Sequence, residues 1–450
     1  MERKLPVWLF LLVILLGLAA SVLFGWSVRH VLNGGTRLGA IGEISVTVAA
    51  FPSLVREAFT QVATDTPLVI DNRFPTLDGF RKDGVLTPGA LEDRGFLLLS
   101  AYDGGKGQST VQLIRIRDQQ VLHEWAPDAH ELARHNPESA FVEPQGVLPD
   151  AYRLGHPLPL SDGGIVFHNF RGPLFKVNAC SSVEWVVDGV FHHSIEQGPN
   201  GHLWVPAIIE PTGYDPGIFP GYRDDSIAEV SPDGRLLSHR SVSEILEQNG
   251  HIGLLFGAGP YDADAIHLND VQPAHRATPY WEQGDLLLSL RHRSTVFLYR
   301  PATGEIPWLQ TGPWLNQHDA NFVGDSTVSV FGNDVVRVGK DQKSKLVHGY
   351  NDVYLFDLSR HHLETPYTDV LKDHAVRTLT EGRSLILDDG DLFLEEQNDG
   401  RLLRVGVDGV KWEFVAKTDD GRVSFLNWSR YLTEDQVSEF LPALERAACG

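Results

Sequence analysis

Four short polar motifs hold most of the chemistry this chain can offer. They are Phe191-His192-His193-Ser194, His267-Leu268-Asn269-Asp270, Ser289-Leu290-Arg291 and Gln317-His318-Asp319-Ala320. Each lies at the edge of a strand-like apolar run. A neutral imidazole is both a nucleophile and a proton carrier, and a guanidinium offers anionic oxygens a permanent planar fork. Several imidazoles and one arginine drawn together suit transfer of an anionic group through an enzyme histidine. Each motif alone has a bland reading. With 19 histidines in the chain, any one of His123, His156, His275 or His348 reads as a packing or surface residue. Asn269 alone reads as a turn residue, and Gln317-His318-Asp319 as loop residues satisfying backbone groups.

The motifs must therefore be brought together by the fold. From about Leu68 the pattern is one of strands and turns. A unit recurs: a small-residue turn, an apolar run, a polar turn, then a strand ending in an aromatic. Examples are Gly95–Ser100 with Val121–Trp125, Gly164–Phe167 with Val183–Val187, Asp285–Ser289 with Val296–Tyr299, and Asp391–Leu394 with Val410–Phe414. Asp233-Gly234, Asp399-Gly400 and Asp408-Gly409 lie between apolar runs, a specific hairpin signal. The units repeat about every 45 to 70 residues, which suits propeller blades with long loops. The expectation is an all-β, six-bladed β-propeller over residues 68–432. Its innermost strands converge on one channel, so motifs far apart in sequence meet cheaply. Helical patterns are few. One covers Ser241–Gln248, and one covers 433–450, where Thr433-Glu434-Asp435-Gln436 forms a capping box and Pro442 interrupts.

Residues 1–32 read as a tail and transmembrane anchor. No charge occurs from Trp8 to Trp26, and Leu5–Ser27 is long enough for a bilayer core. Trp8 and Trp26 suit the two interfaces. A cleaved signal peptide is the alternative, but its apolar core is normally shorter and the apolar residues here run past Ala19-Ala20-Ser21. Arg3 and Lys4 before the segment nearly balance Arg29 and Arg37 after it, so charge bias does not set orientation. Residues 33–67 read as a linker with a short helix over Ala49–Ala63.

Net charge is −21, from 59 acidic residues against 38 Lys and Arg, which argues against a nucleic-acid partner. An anionic substrate then needs a local positive pocket. Two cysteines, Cys180 and Cys449, make no disulfide framework; a single bridge and two free thiols both remain open. Met1 is the sole methionine, so the body has no Met-lined copper or haem site. Nothing in the chain sets an oligomeric state.

The motif set resembles the arylsulfotransferase (aryl sulfate sulfotransferase) family, in its membrane-anchored branch. Phe191-His192-His193-Ser194 followed by Asn200-Gly201-His202 resembles the family's HH…NGN segment. His267-Leu268-Asn269 resembles its H-x-N motif. Arg291 after Gly284–Leu290 resembles its arginine strand, and Gln317-His318-Asp319-Ala320 followed by Phe331-Gly332-Asn333 resembles its Q-H-x-A…F-x-N segment. The third position of the first segment and Gly332 depart from the pattern, and the disulfide of some relatives has no equivalent near the site.

The resemblance implies transfer of a sulfuryl group from an aryl sulfate donor to a phenolic acceptor. His318 is the implied nucleophile, transiently sulfated, with Arg291, His193 or His192 and His267 on the sulfate oxygens. His267 is the proton carrier, with Asn269 orienting it, and Asn269 and Gln317 belong to the substrate-binding set. No cofactor, metal or nucleotide sulfate is implied, and no phosphate loop occurs in the sequence. The resemblance places the catalytic domain on the extracytoplasmic side. Trp281, Trp314, Phe219 and Tyr222 are candidates for an aromatic wall. Two other classes stand beside this one. A metal-dependent propeller hydrolase or lactonase would use the histidines with Asp270 or Asp319, although Arg291 opposes a cation. A non-catalytic propeller scaffold leaves the His/Arg set unexplained.

Overall fold

A computed structural model describes residues 6–32, 35, 37–42, 44–49, 51, 68–77, 79–82, 85–86, 92–142, 148–212, 214, 221–256, 262–338 and 343–449. The chain divides into two compact units, Met1–Asp65 and Thr66–Gly450.

In the first unit an α-helix spans Val7–Leu32. Its apolar side chains are exposed along its whole length, from Val7 and Trp8 to Phe24 and Trp26. At 1.5 Å per residue its 26 residues reach about 39 Å, enough to cross a bilayer core of about 30 Å. Residues 39–42 and 44–49 are also helical. The helix expected over 49–63 lies almost wholly outside the described residues.

The second unit is mainly β, in a propeller-like arrangement of antiparallel sheets. Two sheets are plain four-stranded meanders. One runs Leu268–Pro273, Leu286–Leu290, Thr295–Arg300, Glu305–Thr311. The other runs His318–Val323, Thr327–Gly332, Asp352–Asp357, His362–Glu364. An eight-stranded sheet contains two such meanders, joined where Val190 and Phe191 pair with Ile208 and Ala207. Arg383–Ile386, Leu392–Glu396, Arg401–Gly406 and Gly409–Val415 form another meander, extended by the hairpin Gly79–Lys82 and Val85–Leu86. The sheet that ends the circuit mixes the two ends of the unit: Arg430–Leu432 pairs with Phe96–Asp103, with Leu432 opposite Phe96. Strand alternation puts apolar side chains on both faces, and the core lies between neighbouring sheets. Leu287, Val296 and Leu298 of one sheet pack with Ala320, Val328 and Val330 of the next.

Buried acids also sit on these strands: Asp270 and Asp319 on the first strand of their meanders, Glu395 on a second strand and Asp225 on a third. Carboxylates there tie one sheet to the next. Asp225 accepts from the Leu268 N–H, Asp270 from Ala320, Asp319 from Ser384, and Glu395 from both Trp428 and Ser429. An unpaired backbone N–H at these buried positions is costly, so the acids have a structural reason to be there.

Two features differ from the sequence reading. A hairpin, Val335–Val338 with Lys343–Leu346, is inserted between the second and third strands of the His318 sheet. The C-terminal helix is two short helices, Glu434–Ser438 and Leu441–Arg446. The Thr433/Gln436 capping box forms as expected, but Pro442 lacks the N–H to continue a helix and sits in the first turn of the next. Of the two cysteine states the sequence leaves open, the bridge is the one made: Cys180 and Cys449 form a disulfide that anchors the C-terminus to the turn before Val183–Phe191.

Candidate active site

All four motifs reach one place. His193 follows the strand Val183–Phe191, His267 immediately precedes Leu268–Pro273, Arg291 follows Leu286–Leu290, and His318 begins His318–Val323. The ring of His193 lies 5.4 Å from that of His267 and 5.9 Å from that of His318, centroid to centroid. The three imidazoles are almost fully buried or nearly so, and Arg291 is 5% exposed. The backbone here is strained: His193, His267, Asp319 and Trp428 all have positive φ, between 51° and 61°, a region L-residues seldom occupy. Such strain concentrates at functional sites. The His267 and His318 segments also share a bulge, at Asn269 and Asp319 respectively, which re-aims the side chains before regular pairing resumes.

Hydrogen bonds fix the proton on two of the rings, His318 and His267. Asn333 Nδ2 donates to the carbonyls of Thr378 and Glu381, so its Oδ1 must face His318 Nδ1, 2.7 Å away. His318 therefore carries its proton on Nδ1 and leaves a free lone pair on Nε2. Burial and the positive charge of Arg291 push its pKa down to about 3, keeping it neutral. His267 Nδ1 donates to Asp264 Oδ2 at 2.6 Å, an oxygen that Arg223 Nη1 also approaches at 3.2 Å. Burial, with Arg223 second, lowers the His267 pKa well below the ordinary value. Arg291 Nη1 donates to His292 Nε2 at 2.9 Å, and His292 Nδ1 donates to the Asp264 carbonyl at 2.7 Å. Asp264 thus holds His267 through its side chain and Arg291 through His292. The Arg291 Nε–H is buried without a partner among the described residues.

His192 is not a face of the site. Its Nε2 lies 3.4 Å from both Arg223 Nη2, a donor, and Asp225 Oδ1, an acceptor. Its Nδ1 shares a hydrogen bond of 2.7 Å with His193 Nδ1. Of the two alternatives the sequence leaves open, His193 is the one whose ring lies beside His267 and His318, with His192 packed against it.

Two expectations are corrected. Asn269 does not orient His267; its Nδ2 donates to the Gln317 carbonyl at 2.7 Å, and Asp264 does the orienting. The Gln317 amide nitrogen is spent on Ser289 Oγ and the carbonyls of Leu290 and Thr295, inside the sheet, so it is a structural tie and not a substrate donor. The described aromatic candidates are core residues. Trp281 and Trp314 belong to the core between sheets, Tyr222 to another core cluster, and Phe219 lies outside the described residues. Trp428 and Phe170 instead flank His193, each 5.7 Å from its ring. Trp428, Phe170, Asp264, His292 and Asn333 were missed. Only Asn333 had a sequence signal, as the last residue of the F-x-N segment.

The donor set fits a metal poorly. Asp270 and Asp319 face backbone N–H groups. Asp264, His267 and His292 lie close enough together to share an ion. Two of the three already face a guanidinium, Asp264 that of Arg223 and His292 that of Arg291, a setting hostile to a cation.

The arylsulfotransferase (ASST) family pattern matches residues 171–416, over half of the chain and spanning every motif above. The chain belongs to the arylsulfotransferase family. Membership supports sulfotransferase activity in general terms, and the apolar N-terminal helix is consistent with a membrane-anchored arylsulfotransferase. No curated protein matches the sequence. Similar solved structures include a protein of unknown function from Bacteroides caccae (13% identity, TM-score 0.46, covering 76% of this chain and 100% of that one). Another is the periplasmic gluconolactonase of Pseudomonas aeruginosa (13%, 0.39, 75% and 99%). A third is virginiamycin B lyase from Staphylococcus aureus (10%, 0.34, 77% and 86%). Likenesses this distant say nothing about the chemistry of an arylsulfotransferase.

Proposed function

We propose that the protein moves a sulfuryl group from an aryl sulfate to a phenol through N-sulfated His318, without nucleotide sulfate. The observation that carries this is the Asn333–His318 hydrogen bond, which leaves a neutral Nε2 beside Arg291 and two further imidazoles. Nε2 attacks sulfur and the bond from sulfur to the aryl oxygen breaks. Arg291 and His193 hold the sulfuryl oxygens, and His267 gives its proton to the departing phenolate. Binding an anionic donor raises the proton affinity of His267, and Asp264 stabilises the imidazolium. The acceptor phenol then loses its proton to His267 and attacks sulfur, and the N–S bond breaks. Trp428 and Phe170 supply the aryl-binding surface.

The same reading takes the two meanders of the eight-stranded sheet as separate blades, making six in all. It assigns residues 1–32 to the anchor, 33–67 to a linker with a short helix, 68–432 to the catalytic propeller and 433–450 to its C-terminal cap. It places the catalytic domain outside the cytoplasm, and the Cys180–Cys449 bridge supports an oxidising compartment.

The test is intact-mass analysis of the full chain after mixing with an aryl sulfate and no acceptor. The expected product is the protein plus one sulfuryl group, discharged by phenol and absent in His318→Ala. A wild type that turns over aryl sulfate with no adduct, or a His318→Ala variant with near-normal turnover, overturns the reading.

A further inference from the structure

The inserted hairpin Val335–Val338/Lys343–Leu346 has an unusual charge for this chain. Against a net charge of −21 overall, its described residues carry Arg337, Lys343 and Lys345 and no carboxylate. All three cations are exposed, and none has an ion pair among the described residues. Cross-strand register sets Arg337 opposite Ser344, while Lys343 and Lys345 lie opposite Val338 and Val336. Arg337 therefore projects from one face of the ribbon and the two lysines from the other.

The root of the hairpin is part of the site's framework. It begins two residues after Asn333, the partner of His318. Asp334 N–H donates to the Leu315 carbonyl at 2.9 Å, the Asp334 carboxylate accepts from Leu315 N–H at 3.0 Å, and Asn316 Nδ2 donates to the Val335 carbonyl at 2.7 Å. Leu315 and Asn316 lead directly into Gln317 and His318. Tyr354 Oη donates to the other Asp334 oxygen at 2.9 Å. The arm is thus fixed to the His318 approach, and the field of Arg337 reaches both Arg291 and His292. Arg337 on one face of this ribbon, and Lys343 and Lys345 on the other, thus set three exposed cations without an ion pair among the described residues on an arm rooted beside an anion-binding arginine.

We propose that this hairpin is an anion-recruiting arm that selects aryl sulfates carrying a second anionic group, a carboxylate or another sulfate. The inference rests on the sulfuryl-transfer reading for its substrate, and its physical basis is field focusing. In an acidic protein that repels anions at a distance, a local patch of one sign restores attraction and orients the ligand during approach. The reacting sulfate lies on Arg291, and the second anion lies outward, toward Arg337. The neutral acceptor phenol gains nothing from the arm.

Inert aryl sulfonates test this independently of turnover. Binding of a naphthalene monosulfonate and a naphthalene disulfonate to the full chain is measured at low and high salt. The comparison is with a variant combining Arg337→Glu, Lys343→Glu and Lys345→Glu. The wild type should favour the disulfonate by about tenfold at low salt, a preference that screening erodes. The variant should lose that preference while its acceptor KM stays at the wild-type value. Equal affinity for the two sulfonates in the wild type, or a preference that survives in the variant, overturns the arm. A failed sulfohistidine reading would appear separately, as absence of the mass adduct with the sulfonate preference intact.

Discussion

Asn333 Oδ1 lies 2.7 Å from His318 Nδ1, and the two carbonyls that hold Asn333 Nδ2 allow no other orientation of the amide. One side chain from the end of the second strand therefore decides which nitrogen of the first strand's histidine keeps its lone pair.

Asn333→Leu should release that tautomer. Loss of one hydrogen bond to the reacting ring costs about 1–2 kcal/mol of transition-state stabilisation. The expected result is a lower kcat with donor KM little changed, and a smaller burst of the sulfated enzyme. Stopped-flow measurement of the burst rate checks it; an unchanged rate would show that Asn333 does not set the nucleophile.

Asp264→Asn should act through His267 and depend on the leaving group. Proton transfer by a positioned side chain contributes about 10²–10⁴-fold. Donors that expel a poor phenolate should approach that loss, while a nitrophenyl sulfate, whose phenolate needs no proton, should lose far less. A plot of rate against leaving-group pKa, steeper in the variant, is the readout. A uniform loss across donors would assign Asp264 to structure alone.

Arg291→Lys should rescue little of the activity lost in Arg291→Ala. The alanine variant should lose about 3–4 kcal/mol of transition-state stabilisation, the order seen when one charge-stabilising donor is removed. An ammonium cannot reproduce the planar fork, nor bridge His292 and the sulfuryl oxygens together. Substantial recovery in the lysine variant, measured as kcat/KM for donor, would argue for a plain point charge.

Stability should fall on the acid side. Burial and Arg291 hold His318 down at about 3, and burial holds His168 down at about 4, both from 6.5. Below pH 6.5 the unfolded chain binds more protons, so the stability present above that value is lost as pH falls toward 4 and 3. Glu395 opposes this: burial raises it from 4.5 to about 7, so its contribution is lost as pH rises through that window. Glu395→Gln should therefore steepen the acid-side fall in Tm measured by calorimetry, and an unaltered slope would contradict the assignment.

Cys449→Ser should loosen the C-terminal helices, whose Val437, Phe440 and Leu444 pack into the same core as Trp125 and Phe175. Removing a disulfide of long sequence separation typically costs about 2–4 kcal/mol. Chemical denaturation reads the loss, and hydrogen exchange over 434–446 locates it. No change in either would mean that packing alone holds the helices.

The sequence alone determined the apolar N-terminal helix, because a long run without charge admits few other fates. It also determined the β character of the body, since alternating apolar runs and Asp-Gly turns are local properties, and it named His193, His267, Arg291 and His318 through motifs at strand edges. Tertiary structure decided what lies behind those residues. Whether His192 or His193 faces the others, and whether Asn269 or Asp264 holds His267, depends on which atoms meet across sheets. Asp264 and Asn333 act on residues 3 and 15 positions away, but Trp428 reaches His193 only because the ring of sheets brings the end of the chain back to its middle. The Cys180–Cys449 bridge, across 269 residues, is the same kind of fact. Periodicity encodes which face of a strand is buried; closure of the sheets encodes which distant residues become neighbours.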